Sequence, residues 1–128
     1  MRVLVAEDDP VERAMLRAAV TRLGHACMQA TNGDDAWEAI CRATPDIIIS
    51  DWRMPGLKGP EICRRLQAVV PATRPYFILH TMLASREHVV EAREAGVDAY
   101  LAKPVTVDDL AGRLSTAQER LAERRAAS

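Results

Sequence analysis

Five polar residues of this sequence stand at the ends of short apolar runs. Glu7 and Asp8 follow Val3-Leu4-Val5-Ala6, Asp51 follows Ile47-Ile48-Ile49-Ser50, Thr81 follows Tyr76-Phe77-Ile78-Leu79-His80, and Lys103 follows Tyr100-Leu101-Ala102. Brought together, the three carboxylates would repel one another and lose hydration, which raises their pKa values unless a cation neutralises them. A hard divalent ion meets that need. Mg²⁺ takes oxygen ligands, keeps several waters and is held by one or two carboxylates plus phosphate oxygens, which suits Asp8 and Asp51. Asp51 is then the candidate nucleophile, since a carboxylate can form an acyl phosphate once charge on the incoming group is neutralised. Lys103 can bind one phosphoryl oxygen and the Thr81 hydroxyl another, and Thr81, on a different run, can report the group to a distant surface. Taken singly each residue is ordinary: an Asp at a strand end is usually a cap, a lone Lys is usually solvated, and Thr is common in strands. Their joint occurrence at successive run ends is what favours chemistry.

The elements that must position these residues alternate. Residues 2–6 read as a strand that breaks into Glu7-Asp8-Asp9-Pro10, with Asp9 as helix cap and Pro10 in the first turn. A helix over 11–23 repeats Leu16, Ala19, Val20 and Leu23 on one face and stops at Gly24. Residues 26–30 form a short strand, and 34–42 a helix that turns Ala36, Ile40 and Trp37 inward. The run 46–50 is apolar and β-branched, as a central parallel strand covered on both faces would be. A Pro- and Gly-rich loop over 52–58 leads to a helix from Gly59 to about 69, and 76–80 is a fourth strand with Thr81 at its tip. Ser85 caps a helix that Gly96 ends, 98–102 is a fifth strand, and Thr106 starts the last helix. Five strands alternating with five helices make an α/β open parallel sheet with helices on both faces, because parallel strands need helical crossovers. Ligands in such folds sit beyond the carboxyl ends of the strands, where the five polar residues lie.

Bulk properties narrow the field. A length of 128 residues, 48% of them hydrophobic, predicts one domain with a real core. The 17 basic and 18 acidic residues nearly cancel, so neither a nucleic-acid binder nor a membrane-surface protein is expected. No apolar run approaches a membrane span and no signal-peptide pattern opens the chain, so a cytoplasmic location is expected. Cys27, Cys41 and Cys63 lack the paired spacing of a zinc site and read as reduced packing residues.

With these residues in place, the sequence resembles the receiver domains of two-component response regulators, the chemotaxis-regulator type among them. The resemblance rests on Val5-Ala6-Glu7-Asp8-Asp9-Pro10, on Asp51-Trp52-Arg53-Met54-Pro55-Gly56-Leu57-Lys58-Gly59, on Thr81, and on Tyr100-Leu101-Ala102-Lys103-Pro104, in the family's order and spacing. It covers residues 1–118 as the receiver domain and leaves 119–128 as an extension of the last helix or the start of a linker. It implies a flavodoxin-like fold with strand order 2-1-3-4-5. It implies Asp51 as phosphoacceptor, Asp8 as direct metal ligand, Glu7 as a ligand through water, and the backbone carbonyl of Arg53 as a further ligand. It also implies that Thr81 and Lys103 bind the phosphoryl group, that Thr81 and Tyr100 form the switch, and that Lys103-Pro104 is cis. The implied cofactor is Mg²⁺, with Mn²⁺ as a substitute. The implied partners are a histidine kinase or histidine phosphotransfer protein upstream and an output domain or protein downstream. A homodimer would form through the last helix or the face of the fourth helix and fifth strand. The module is a signalling device rather than an enzyme, with only phosphorylation from small donors and slow self-dephosphorylation of its own.

Several positions depart from the family's commonest pattern. Met82 stands where a small residue usually follows the switch threonine, and Arg53 and Leu83 occupy positions that tune dephosphorylation; neither is suited to orienting a water. Trp37 reads as packing, Trp52 as a partly exposed lip of the pocket, and His80 as a satisfied structural histidine on the face opposite Thr81. Val107, Leu110, Leu114, Ala117 and Leu121 repeat in a heptad-like seam longer than one sheet needs, and the charged stretch beyond it is either a frayed tail or the start of a signalling helix. Receivers joined to diguanylate cyclase domains often have such a helix, so a module cut from a larger regulator stands beside a stand-alone one. Other classes fit less well. An aspartate-nucleophile phosphatase needs a second Asp two residues after the nucleophile, where Arg53 stands, and a flavodoxin-like nucleotide or flavin binder needs a phosphate-cradling loop where Glu7-Asp8-Asp9 would repel phosphate. A degenerate receiver acting only as a scaffold would not keep the acid, Thr and Lys set.

Overall fold

The computed structural model describes residues 1–127. Five strands, β1 (Arg2–Ala6), β2 (Ala26–Ala30), β3 (Ile47–Ser50), β4 (Tyr76–Thr81) and β5 (Ala99–Ala102), alternate with α1 (Pro10–Arg22), α2 (Gly33–Arg42), α3 (Gly59–Leu66), α4 (Arg86–Ala95) and α5 (Val107–Ala126). The strands form one parallel sheet in the order β2-β1-β3-β4-β5. The register pairs Ala6 with Ser50 and Ser50 with Leu79, so β1 and β3 finish level while β4 runs two residues further, to Thr81.

Side-chain alternation divides the core into two layers. Leu4, Ile48, Phe77 and Leu79 face α2, α3 and α4, where they meet Ala36, Ile40, Ile62, Leu66 and Ala92. Val3, Val5, Ile47, Ile49 and Ile78 face the other way and meet Leu16 and Val20 of α1 and Leu110, Leu114, Ala117 and Leu121 of α5. Successive strand residues point to opposite faces, so an unbroken apolar run is what a sheet covered on both sides requires.

The caps hold as expected: the Asp9 side chain accepts from Val11 and Glu12 N–H, Ser85 from His88 N–H, and Thr106 from Asp109 N–H. Gly96 ends α4 at φ +96°, a left-handed conformation that favours glycine. Several boundaries differ from expectation, and three have a clear cause. The helix expected to reach about residue 69 ends at Leu66, and residues 67–69 continue in tighter turns with bonds to residues three back, because Pro71 disfavours helix at Val70. Asp46 and Asp98 fall outside β3 and β5 because their carboxylates accept the backbone N–H groups of Arg2 and Phe77, both at 2.8 Å.

The last helix is unbroken to Ala126. Leu121 is 1% exposed, Arg124 pairs with Asp98 and lies 5.5 Å over the Tyr76 ring, and Arg125 pairs with Asp46 at 2.7 Å. The seam from Leu110 to Leu121 is therefore occupied by the domain's own core, while Val107, expected to belong to it, is exposed. The expected extension over 119–128 is helical as far as Ala126, and Ser128 lies outside the described residues.

Candidate functional site

The level strand ends bring the acidic residues together. Glu7 and Asp8 leave β1, and Asp51 leaves β3 with its N–H donating to Ala6 C=O at 3.0 Å. One carboxylate oxygen from each of Glu7, Asp8 and Asp51 lies within 4.8 Å of the others. Glu7 is 1% exposed, Asp51 is half-buried and Asp8 opens to solvent. The chain after Asp51 is held close by Gly59, where a Cβ would stand 2.4 Å from the Asp51 carbonyl oxygen. The Asp51 carboxylate itself accepts Trp52 N–H at 2.6 Å.

Lys103, from the end of β5, reaches into this group. Its Nζ donates to Glu7 Oε1 at 2.9 Å, to Asp51 Oδ2 at 2.9 Å and to Glu12 Oε2 at 2.5 Å. Its N–H bonds to Thr81 C=O at 3.0 Å, and Lys103-Pro104 is cis, as the resemblance implied. Thr81 is buried, and its hydroxyl accepts Leu83 N–H at 3.1 Å. Tyr100, on β5 opposite Leu79, packs against the layer formed with α2, α3 and α4. Its hydroxyl is buried and has no hydrogen bond among the described residues.

The electrostatics follow from burial. Burial pushes the Glu7 carboxyl up from 4.5 to about 8; the Lys103 ammonium pulls the other way and does not overcome it, while Glu12 and Asp51 add to the rise. Burial alone would lower the Lys103 value, but its bonds to Glu12, Asp51 and Glu7 outweigh this and raise it. The same contact holds the Glu12 carboxyl below its usual range. A site in which one acid resists ionisation while a neighbouring lysine serves three carboxylates has too little positive charge. The all-oxygen donor set fits a hard divalent cation.

Three expectations are corrected. Trp52 is 5% exposed rather than a lip, because its indole packs edge-on against His88 of α4 at 5.1 Å. His80 is buried on the α1–α5 side but is not satisfied, since neither ring nitrogen has a partner among the described residues. Burial, helped by Lys103, lowers its pKa to about 4, so it stays neutral. Cys41 is exposed rather than packed, unlike Cys63. Met82 is 78% exposed. Trp37 does pack, half-buried beneath Arg65, whose guanidinium carbon lies 5.3 Å from the ring centre. Arg53 is exposed and Leu83 half-buried.

Glu12 is the residue that sequence reasoning missed. It follows Asp9 by three positions, the spacing of a capping box, and so reads as a helix-start acid. Its closeness in sequence to Glu7-Asp8, on a helix leaving the same strand end, was the available signal.

Comparison with known proteins agrees with this geometry. The family model described as the response regulator receiver domain matches residues 3–115. The chemotaxis protein CheY-3 of Vibrio cholerae is 29% identical over 122 residues, spanning 94% of this chain and 94% of that protein. The gliding motility regulatory protein of Myxococcus xanthus is 38% identical over 103 residues, 80% of this chain but 13% of that protein's length. Several curated relatives are likewise longer, the chain spanning between 13% and 52% of them. Among solved structures, the receiver domain of the sensor histidine kinase PA1611 of Pseudomonas aeruginosa, with a magnesium ion in its active-site cleft, superposes with a TM-score of 0.80 at 27% identity, covering 94% of this chain and 97% of that one. These relatives give no support to a diguanylate cyclase partner domain.

Proposed function

This chain belongs to the response regulator receiver domain family, and we propose that Asp51 accepts a phosphoryl group from a histidine kinase or histidine phosphotransfer protein. The observation that carries this reading is the Lys103 ammonium seated 2.9 Å from Asp51 inside the trio of Glu7, Asp8 and Asp51. Family membership makes the domain a signalling module with an acidic site suited to Mg²⁺. Among the described residues no helix is long and apolar enough to cross a membrane.

In the reading we favour, Glu7 through water, Asp8, Asp51 and the Arg53 carbonyl would hold the ion, whose chemistry would be to neutralise charge on the phosphoryl oxygens; Mn²⁺ would serve as well. One Asp51 oxygen attacks phosphorus, an aspartyl phosphate bond forms, and the donor's bond to phosphorus breaks with its electron pair leaving on the donor. Lys103 then bonds a phosphoryl oxygen. Thr81 turns its hydroxyl to another, which means releasing Leu83 N–H and so loosening the chain between β4 and α4. Tyr100 can follow, because its hydroxyl has no hydrogen bond to lose. The face of α4, β5 and α5 is thereby remodelled for an output domain or protein, and two copies could pair through it. We place this exchange in the cytoplasm, where histidine kinases present their phosphoryl groups.

The test is incubation with Mg²⁺ and acetyl phosphate, followed by intact mass. The parent should gain one phosphoryl group, and Asp51→Asn or parent in chelator should gain none. Label that persists in Asp51→Asn, or that forms equally in chelator, would refute the reading.

A further inference from the structure

We infer that Glu12 is a positioning residue for Lys103: an acceptor outside the cation site, onto which the ammonium withdraws when Glu7 and Asp51 turn to a divalent ion. This rests on the proposed role of Glu7, Asp8 and Asp51. A lysine ammonium has three N–H donors and no acceptor. Here all three are engaged, by Glu7, Asp51 and Glu12. Two of these acceptors belong to the trio whose oxygens gather within 4.8 Å. An ammonium 2.9 Å from both Glu7 and Asp51 stands where a second cation would experience like-charge repulsion in a partly desolvated site. Lys103 must therefore loosen its hold on those two carboxylates for the ion to enter.

The remaining partner, Glu12, is placed for that exchange. It comes from α1 rather than from a strand end, and its carboxylate is not part of the trio. Its side chain is 35% exposed, so water supports its charge, whereas the Lys103 side chain is 9% exposed and would be left with poorly solvated donors if it had nowhere to go. Glu12 and Lys103 also line one groove, about 240 Å³ in volume, between α1 and the start of α5. The ammonium can swing toward Glu12 there without moving the backbone. The other ionisable side chain lining that groove, His80, has both ring nitrogens buried and unpartnered, and it is no anion. Glu12 thus lets one lysine serve two states: bridging the carboxylates when the cation is absent, and standing aside but close at hand when a phosphoryl group arrives.

The test is a double-mutant cycle read by magnesium affinity. Mg²⁺ is titrated into the full chain while the amide resonances of Asp8 and Trp52 are followed, in the parent, Glu12→Gln, Lys103→Met and the double variant. Glu12→Gln should weaken Mg²⁺ binding about two- to fivefold in the parent, the size of a partly exposed ion pair. In the Lys103→Met background, where no ammonium needs an acceptor, it should change nothing. Lys103→Ala supplies the same comparison if the Met variant does not give a folded spectrum. Equal weakening with and without the lysine would mean that Glu12 acts only as a nearby negative charge, and would overturn the inference. So would an unchanged affinity in Glu12→Gln. A second readout separates positioning from transfer. The rate of Asp51 phosphorylation by acetyl phosphate at saturating Mg²⁺ should stay within about twofold of the parent while the half-saturating Mg²⁺ concentration rises. A loss of rate that Mg²⁺ does not restore would place Glu12 in the transfer step and overturn the inference. If the parent itself shows no Mg²⁺-dependent shifts, the trio is not a cation site, and the proposed function falls together with this inference.

Discussion

Replacing Glu7 with Gln should remove a pH dependence of stability that the metal-free parent shows between about pH 6.5 and 8. Glu7 is 1% exposed, and burial raises its carboxyl from 4.5 to about 8. A carboxyl whose folded pKa lies above its unfolded value contributes stability that is complete below the unfolded value and is lost as pH rises through the folded one. One pKa unit corresponds to ~1.36 kcal/mol, so the interval from about 6.5 to 8 removes roughly 1.5 kcal/mol once partial ionisation near the upper end is counted. The other shifted groups act mainly elsewhere, the two histidines giving back up to ~0.4 kcal/mol each just above pH 6.5 in parent and variant alike. His80, lowered from 6.5 to about 4, contributes stability present above 6.5 and lost as pH falls toward 4, and His25 shifts in the same direction. Glu12 and Asp46, lowered from 4.5 and 3.8, matter only in more acidic solution, and the raised Lys103 matters only above 10.5. Gln keeps an acceptor for the Lys103 ammonium and discards the charge. Urea denaturation in chelator at the two pH values, followed by far-ultraviolet circular dichroism, should show the parent losing about 1.5 kcal/mol more than Glu7→Gln. Saturating Mg²⁺ should stabilise the parent by mass action, and should stabilise the variant less, since it keeps Asp8 and Asp51 but has lost the Glu7 charge. Parallel slopes for the two proteins, or a parent that gains stability toward pH 8, would refute the reasoning.

Two further outcomes are expected. Arg53→Asn combined with Leu83→Glu should speed loss of the phosphoryl group by about tenfold or more once the donor is removed, because in-line attack needs a positioned water and misplacement alone costs orders of magnitude. Intact mass against time checks this, and equal decay in the double variant and the parent would show that these side chains do not guard the site. Leu121→Ala should lower stability by about 2–5 kcal/mol in urea denaturation, as for other buried leucines; a change under about 0.5 kcal/mol, typical of surface positions, would mean that the end of α5 is not docked on the sheet.

The parts of this molecule that were legible in the sequence are those written in periodicity and punctuation. Ile47-Ile48-Ile49-Ser50 could only be a covered strand, Gly96 could only be a stop, and Asp9, Ser85 and Thr106 cap the helices they introduce. Those elements suffice to bring Glu7, Asp8, Asp51 and Lys103 to one edge. Less legible were features set by how far a side chain reaches after the elements have packed. Trp52 follows Asp51 and was expected at the rim, yet α4 supplies His88 to cover it. Leu121 looked surplus to one sheet, yet a helix rises only about 1.5 Å per residue, and the one that crosses this sheet needs the additional turns. His80 alternates correctly to the α1–α5 side, but the sequence offers no sign that a polar ring there goes without a partner.

Charge balance explains why the miss at Glu12 matters more than the others. Glu7, Asp8, Glu12 and Asp51 present four carboxyl groups, and among the described residues Lys103, paired with all of them but Asp8, is the only cation in an ion pair with any. Burial of Glu7 then forces a choice: hold a proton, share the ammonium, or take up an external cation. The raised pKa of Glu7 shows that the ammonium alone does not settle it. Because the same lysine is also bonded to Glu12 and Asp51, any cation that satisfies Glu7 changes what Lys103 must do, and any anion bound at Asp51 draws on the same donors. On the proposed function, metal uptake and phosphoryl binding would therefore be coupled through the Lys103 side chain. As the inferred positioning residue, Glu12, an α1 residue that a motif drawn on strand ends alone would pass over, would set the strength of that coupling.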